Sequence, residues 1–165
     1  MVGMDKEELL SFLRSKHIVF ELTEHIAVFN MREVSNIELP YPDDDAKNLF
    51  IRDDKKRQFF LLTVKGNKRV DLKLVRKTLN ARPLSFANDE ALKNKLQLTP
   101  GSVTPFGLLN NTDCDVCWIL DKAFEGEPHR IGVHPNDNTA TLWLRPEDLI
   151  NLIKEHGNPV RLITL

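Results

Sequence analysis

Cysteine is scarce in this chain, and its two copies, Cys114 and Cys117, fall in a single C-x-x-C. A thiolate zinc site needs a second ligand pair, and no further cysteine supplies one. The flanks Asp115-Val116 and Trp118-Ile119-Leu120 read as a strand, on which positions three apart point to opposite faces. The pair is therefore expected as buried or half-buried free thiols. Long apolar runs are missing too, and nothing approaches the roughly 20 residues that cross a bilayer. Met1 to Glu8 lacks a basic start and an apolar stretch, so no secretory signal is expected, the expected compartment is the cytoplasm, and no membrane partner is expected. Also absent are a G-x-S-x-G elbow, a phosphate-binding Walker loop, a dinucleotide fingerprint and H-E-x-x-H. His25, His129 and His134, taken with Asp43 to Asp45, match no standard ligand spacing, so neither metal nor cofactor is expected.

A strong overall charge is lacking as well, since the net charge is −1. The distribution is uneven: between Arg52 and Arg82 eleven Lys or Arg face three Asp, so this window carries +8 and the remainder −9. Phosphate neutralisation needs clustered cations rather than a basic average, so a local polyanion-binding face fits, and so does a merely solvated basic face. The 165 residues, 41% of them hydrophobic, suit one domain spanning 1–165 with a substantial core.

Asp5 is placed to cap a first helix, Lys6 to Lys16, with Leu9, Leu10, Phe12 and Leu13 on its apolar face. Ile18 to Leu22 and Ile26 to Phe29 read as short strands around His25, and Met31 to Leu39 as a second helix. Asn48 to Arg52 and Gln58 to Val64 form an expected hairpin across the polar turn Asp53 to Lys56. Asp71 then caps a helix with Leu72, Leu74, Val75 and Leu79 as its apolar set and Lys73, Arg76 and Lys77 exposed. Asn88 or Asp89 starts another helix through Leu96. Ser102 to Leu109, broken by Pro105 and Gly107, reads as an irregular strand or loop. Val116 to Leu120, Ile131 to His134 and Thr139 to Leu144 are strand candidates. A last helix begins at Arg145-Pro146 and stops at His156-Gly157, and Val160 to Leu165 closes as a strand. Without a regular βαβ rhythm, the expected fold is mixed α+β: a mixed, largely antiparallel sheet with flanking helices.

Three polar, turn-rich places remain as candidate sites: Lys47-Asn48, which sets a cation beside a carboxamide at the mouth of an apolar strand, Gly101-Ser102-Val103-Thr104-Pro105, and Gly132-Val133-His134-Pro135-Asn136. An isolated Lys-Asn pair is ordinarily solvated surface, so its company decides. Gly and Pro beside hydrogen-bond donors are one way to aim backbone N–H groups at a ligand oxygen.

Four blocks carry a resemblance: Lys47 to Asp53, Arg69 to Lys73, Leu98 to Gly107, and Gly132 to Pro135 with Asn138 to Thr141. In this order they resemble the YbaK/prolyl-tRNA-synthetase editing-domain family, most closely its free-standing ProX- or PrdX-type members that deacylate alanyl-tRNA(Pro). The resemblance implies a trans-acting aminoacyl-tRNA deacylase that hydrolyses a mischarged amino acid from the acceptor end of tRNA(Pro). The partner is that acceptor end, with prolyl-tRNA synthetase or an elongation factor as possible further partners. It implies Lys47 as the hallmark functional residue with Asn48 beside it, and Gly101 and Pro105 in the substrate-pocket loop with Ser102, Val103 and Thr104. His134 borders the aminoacyl pocket, and His25 lies near a family position.

Such chemistry requires no covalent nucleophile, because a positioned water and donors at the developing oxyanion suffice, and the ribose 2′-OH can help position the water. Lys68, Arg69 and Lys73 are the expected RNA contacts. Ala46 and Asn111 depart from the family pattern, which more often has a small hydroxyl residue and Asp there. A preference for Cys-tRNA(Pro) or another small aminoacyl group, or a noncatalytic tRNA-binding module, are the alternatives.

Overall fold

The computed structural model describes residues 3–27 and 38–165. Asp5 caps α1 (Lys6–Ser15) by accepting from the Glu8 amide at 2.8 Å. β1 (Phe20–Glu24) begins two residues later than the expected strand. The expected helix from Met31 and the end of the expected strand at Phe29 fall outside the described residues. β2 (Ala46–Asp53) and β3 (Phe59–Lys65) form the expected hairpin, whose turn is closed by Asp53 accepting from the amides of Arg57 and Gln58.

Asp71 caps α2 (Leu72–Leu79), and Asn80, in the left-handed region at φ 52°, ends it. Only Val75 and Leu79 of this helix are buried; Leu74, expected inside, is 50% exposed. A helix buries a stripe recurring every three or four residues, and Leu74 falls off the stripe set by Val75 and Leu79. β4 (Leu84–Phe86) precedes α3 (Asp89–Leu96), which Asn88 caps. A 3-10 turn, Pro105–Asn110, occupies the irregular stretch. β5 (Val116–Asp121), β6 (Ile131–Val133), β7 (Ala140–Leu144), α4 (Pro146–His156) and β8 (Val160–Ile163) complete the order. Gly157 ends α4 at φ 117°, a conformation that favours glycine.

The strands form a three-stranded antiparallel sheet, β1-β7-β6, and a five-stranded sheet, β4-β2-β3-β5-β8. β2 pairs antiparallel with β3 and β4, whereas β3–β5 and β5–β8 are parallel, so the mixed, largely antiparallel α/β arrangement is as expected. A parallel bridge, Asp45 to Gly132, ties the start of β2 to β6 and so connects the two sheets.

One apolar cluster joins Phe50, Leu61, Trp118 and Leu120 of the larger sheet to Val133, Leu142 and Leu144 of the smaller, with α1, α3 and α4 contributing leucines. A second cluster lies on the other face of the larger sheet, where Ile51, Phe60, Leu62 and Ile119 meet Val75 and Leu79 of α2. Cys117 lies on β5 and burial raises its thiol pKa. Cys114 is not on the strand, contrary to expectation: it sits in the preceding turn at φ 52°. Its Sγ lies against the end of α4, 3.6 Å from the His156 carbonyl oxygen. Both thiols are free.

Candidate active site

Side chains alternate across a strand, and the register of β2 separates the two residues of the Lys-Asn pair. Lys47 lies opposite Val64 and Asn48 opposite Thr63. Val64 belongs to the α2-side cluster, whereas Thr63 binds Trp118 of the inter-sheet cluster. The cation and the carboxamide thus occupy opposite faces rather than one mouth.

On the inner face the Trp118 indole N–H donates to Thr63 Oγ1 at 2.8 Å, and the Thr63 hydroxyl donates to Asn48 Oδ1 at 2.6 Å. This relay fixes Asn48 from behind the strand. On the outer face Lys47 Nζ donates to the carbonyl of Lys68. Lys68 Nζ in turn pairs with Asp121 Oδ2 at 2.7 Å, and that carboxylate is 1% exposed. The loop that receives Lys47 is therefore anchored by a buried acid from β5. Burial lowers the Lys47 pKa, because water no longer fully solvates the ammonium.

The Asp45–Gly132 bridge runs parallel, so the two chains leave it in one direction, toward Lys47 on one side and His134 on the other. Burial pushes the Asp45 carboxyl up to about 7, against a lowering by the Ala46 amide. Its neighbour Asp44 is held by Lys65 at 3.3 Å and Arg130 at 3.2 Å. Gly132 is required where it is: a Cβ there would lie 2.2 Å from Cζ3 of Trp143.

The His134 ring donates from Nδ1 to the Ala140 carbonyl at 2.9 Å, which leaves Nε2 as an acceptor. Burial lowers its pKa, and the Ala140 bond opposes this only in part, so the ring is held neutral near pH 7. His25 lies 6.2 Å away between ring centroids, its Nδ1 donating to the Ile26 carbonyl at 2.7 Å and its Nε2 accepting from Thr141 at 2.9 Å. The Thr104 hydroxyl donates to the His134 carbonyl at 2.6 Å and so docks the loop of Gly101 to Pro105 beside the histidine. Within that loop Ser102 spends its amide on Thr99, and Phe106 and Gly107 spend theirs on Thr104. Ser102, Thr104 and Pro105 are buried, and Val103 packs against the inter-sheet cluster.

His134, His25, Thr104 and the loop from Gly101 are thus brought together, while Lys47 follows the Asp45–Gly132 bridge on the neighbouring strand with its side chain turned to the Lys68 carbonyl. Of the expected RNA contacts, Arg69 and Lys73 are exposed, but Lys68 is committed to Asp121. Asp121 and Asp45 were missed from sequence. Asp121 ends an apolar strand without a motif, while Asp45 was legible only as part of the run Asp43 to Asp45. The two departures have local accounts: Ala46 packs against the inter-sheet cluster, and Asn111 donates to Asp115 at 2.9 Å while accepting from Val116 and Asn158.

The model of the aminoacyl-tRNA editing domain matches residues 27–152. A prolyl-tRNA editing protein, ProX, of Acetoanaerobium sticklandii is 37% identical over 160 residues, covering 97% of each chain. A prolyl-tRNA synthetase associated domain-containing protein of Mus musculus is 34% identical over 96% of this chain and 95% of its own. A solved structure of a candidate trans-editing enzyme for prolyl tRNA synthetase has the same fold at a TM-score of 0.69, with 19% identity over 99% of both chains.

Proposed function

The chain belongs to the aminoacyl-tRNA editing domain family, and from that premise we propose that it acts in trans as a deacylase of mischarged tRNA(Pro), with alanine as the preferred acyl group. The observation that supports the reading is the docking of the Gly101 to Pro105 loop on the His134 segment, beside the Asp45–Gly132 bridge that leads into the strand of Lys47. Ester hydrolysis by water needs a donor where the carbonyl oxygen gains charge, a positioned water, and a proton for the departing ribose oxygen. Water adds to the carbonyl carbon, the acyl C–O bond breaks, and the ribose oxygen leaves as a hydroxyl.

Gly101 lies in the turn that Ser102 closes on Thr99, and in this reading its amide is the oxyanion donor. Lys47, partly desolvated, supplies a fixed positive charge at the acceptor end, and that charge acts more strongly than in open water. The ribose 2′-OH orients the water, so the reaction is substrate-assisted. His134 Nε2 is free to accept from the aminoacyl ammonium, and His25 holds the adjoining wall. Asn48, its Oδ1 held by the Thr63 hydroxyl, orients the aminoacyl ester in this reading.

Discrimination follows from size. A synthetase pocket for proline rejects a smaller side chain by only about 1–3 kcal/mol, so a second site that admits alanine and excludes proline supplies the rest. In this reading His134 and Val103 form that wall.

The test is release of alanine, cysteine, serine and proline from the correspondingly charged tRNA(Pro). Alanine is expected to leave fastest and proline to stay. Lys47→Ala is expected to lower alanine release at least about 100-fold with the thermal midpoint retained. Faster cysteine release reassigns the substrate, and no release of any amino acid leaves a tRNA-binding module.

A further inference from the structure

Phe86 is 60% exposed on β4, the edge strand of the larger sheet, and Leu74 is 50% exposed on α2, the helix packed against that strand. Phe86 pairs with Ile51, so it projects from the α2 face of the sheet, the face that also carries Lys47. Ile51 lies four residue steps along β2 from Lys47, about 13 Å.

The surroundings are basic, and their acids are already spent. Of the three Asp in the window from Arg52 to Arg82, Asp53 closes the β2–β3 turn, Asp71 caps α2, and Asp54 holds Arg82 at 2.6 Å. Among the described residues Arg69, Lys73 and Lys77 have no carboxylate partner. An exposed aromatic on a strand packed against a helix with unpaired cations suits a strand of nucleotides, whose bases stack on the ring while their phosphates meet the charged groups of the helix. An apolar protein partner would leave those cations unanswered.

We propose that Phe86, with Leu74 beside it, is a stacking platform for unpaired 3′-terminal nucleotides of RNA, whose phosphates run along the exposed side of α2. The proposal rests on the reading of the chain as an acceptor-end deacylase and adds where the nucleotides before the ester lie.

The probe is a labelled single-stranded RNA ending in CCA, compared with a blunt duplex of equal length, for wild type, Phe86→Ala, Phe86→Trp and Lys73→Gln. Phe86→Ala is expected to weaken single-strand binding about tenfold with an unchanged salt slope, and Phe86→Trp to keep it. Lys73→Gln is expected to flatten the slope. Because Phe86 is exposed, its truncation leaves the core intact. Equal affinity of Phe86→Ala and wild type, a matching loss on the blunt duplex, or a change in self-association in place of RNA affinity would overturn the platform. Amino acid release is scored separately. Phe86-dependent binding without release keeps the platform and sinks the deacylase, whereas release with Phe86-independent binding does the reverse.

Discussion

Asp45 stands two residues before Lys47, 8% exposed, with its carboxyl pushed up to about 7 by burial. A carboxyl whose folded pKa exceeds its unfolded value binds more protons when folded, so stability falls as pH rises between the two. The unfolded value is 3.8, so the rise to about 7 corresponds to roughly 4 kcal/mol, lost progressively from pH 4 to 7 and fully lost above. Asp45→Asn cannot ionise and keeps the size of the side chain. It is expected to raise the thermal midpoint at pH 8 and to change it little at pH 4.5; an equal effect at both would show that charge is not the cause. A second carboxamide gives the converse. Asn111 donates to Asp115, whose own carboxyl burial would raise but Lys95 and Asn111 together hold low. Asn111→Asp would set two carboxylates face to face and is expected to cost about 1–3 kcal/mol at pH 7 and less at pH 4, read by urea unfolding.

At the scale of elements, β6 depends on a residue without a side chain. A Cβ on Gly132 would strike Trp143, and that ring cannot swing freely: its N–H donates to Thr23 at 2.9 Å and its edge meets Tyr41 at 5.3 Å. Gly132→Ala is expected to cost about 1–3 kcal/mol and to lower deacylation, because β6 carries both the Asp45 bridge and the approach to His134. Gly126→Ala, whose nearest outside atom would lie 3.8 Å away, is the control and is expected within about 0.5 kcal/mol of wild type. The same contrast explains what sequence disclosed. Asp5, Asp71 and Asn88 announced helix starts because a cap bonds an amide two or three residues away, and the β2–β3 hairpin was legible because its turn is local. β1 pairs with β7 across more than a hundred residues, and β5 and β8 align in parallel, pairings to which local pattern is blind. Alternation along β2 was available from sequence, yet which face each side chain met depended on partners far away, so Lys47 and Asn48 read as neighbours in function when they back onto different clusters.

Across the whole molecule, a chain of net charge −1 holds +8 between Arg52 and Arg82, and the fold decides which of those cations are free. Lys68, one of three expected RNA contacts, instead neutralises Asp121 and shapes the carbonyl that Lys47 grips. Removing one partner of a buried pair leaves an uncompensated charge, so Lys68→Met is expected to destabilise the fold by up to about 3–5 kcal/mol, tempered by the part exposure of the lysine. Its effect on RNA would then arrive through Lys47 and not through phosphate contact. Arg69 and Lys73 have no such structural duty, and reversing both should leave the unfolding midpoint in place. Each phosphate contact contributes about 0.7–0.9 to the slope of log affinity against log salt, so Arg69→Glu with Lys73→Glu is expected to flatten that slope by about 1.5. Titration of tRNA(Pro) from about 50 to about 200 mM salt reads it. Affinity should fall most at the low-salt end and converge on wild type as salt rises, since screening removes what the substitutions remove. Parallel lines for mutant and wild type would mean that the tRNA approaches from elsewhere, and that the basic face only solvates the hairpin and α2.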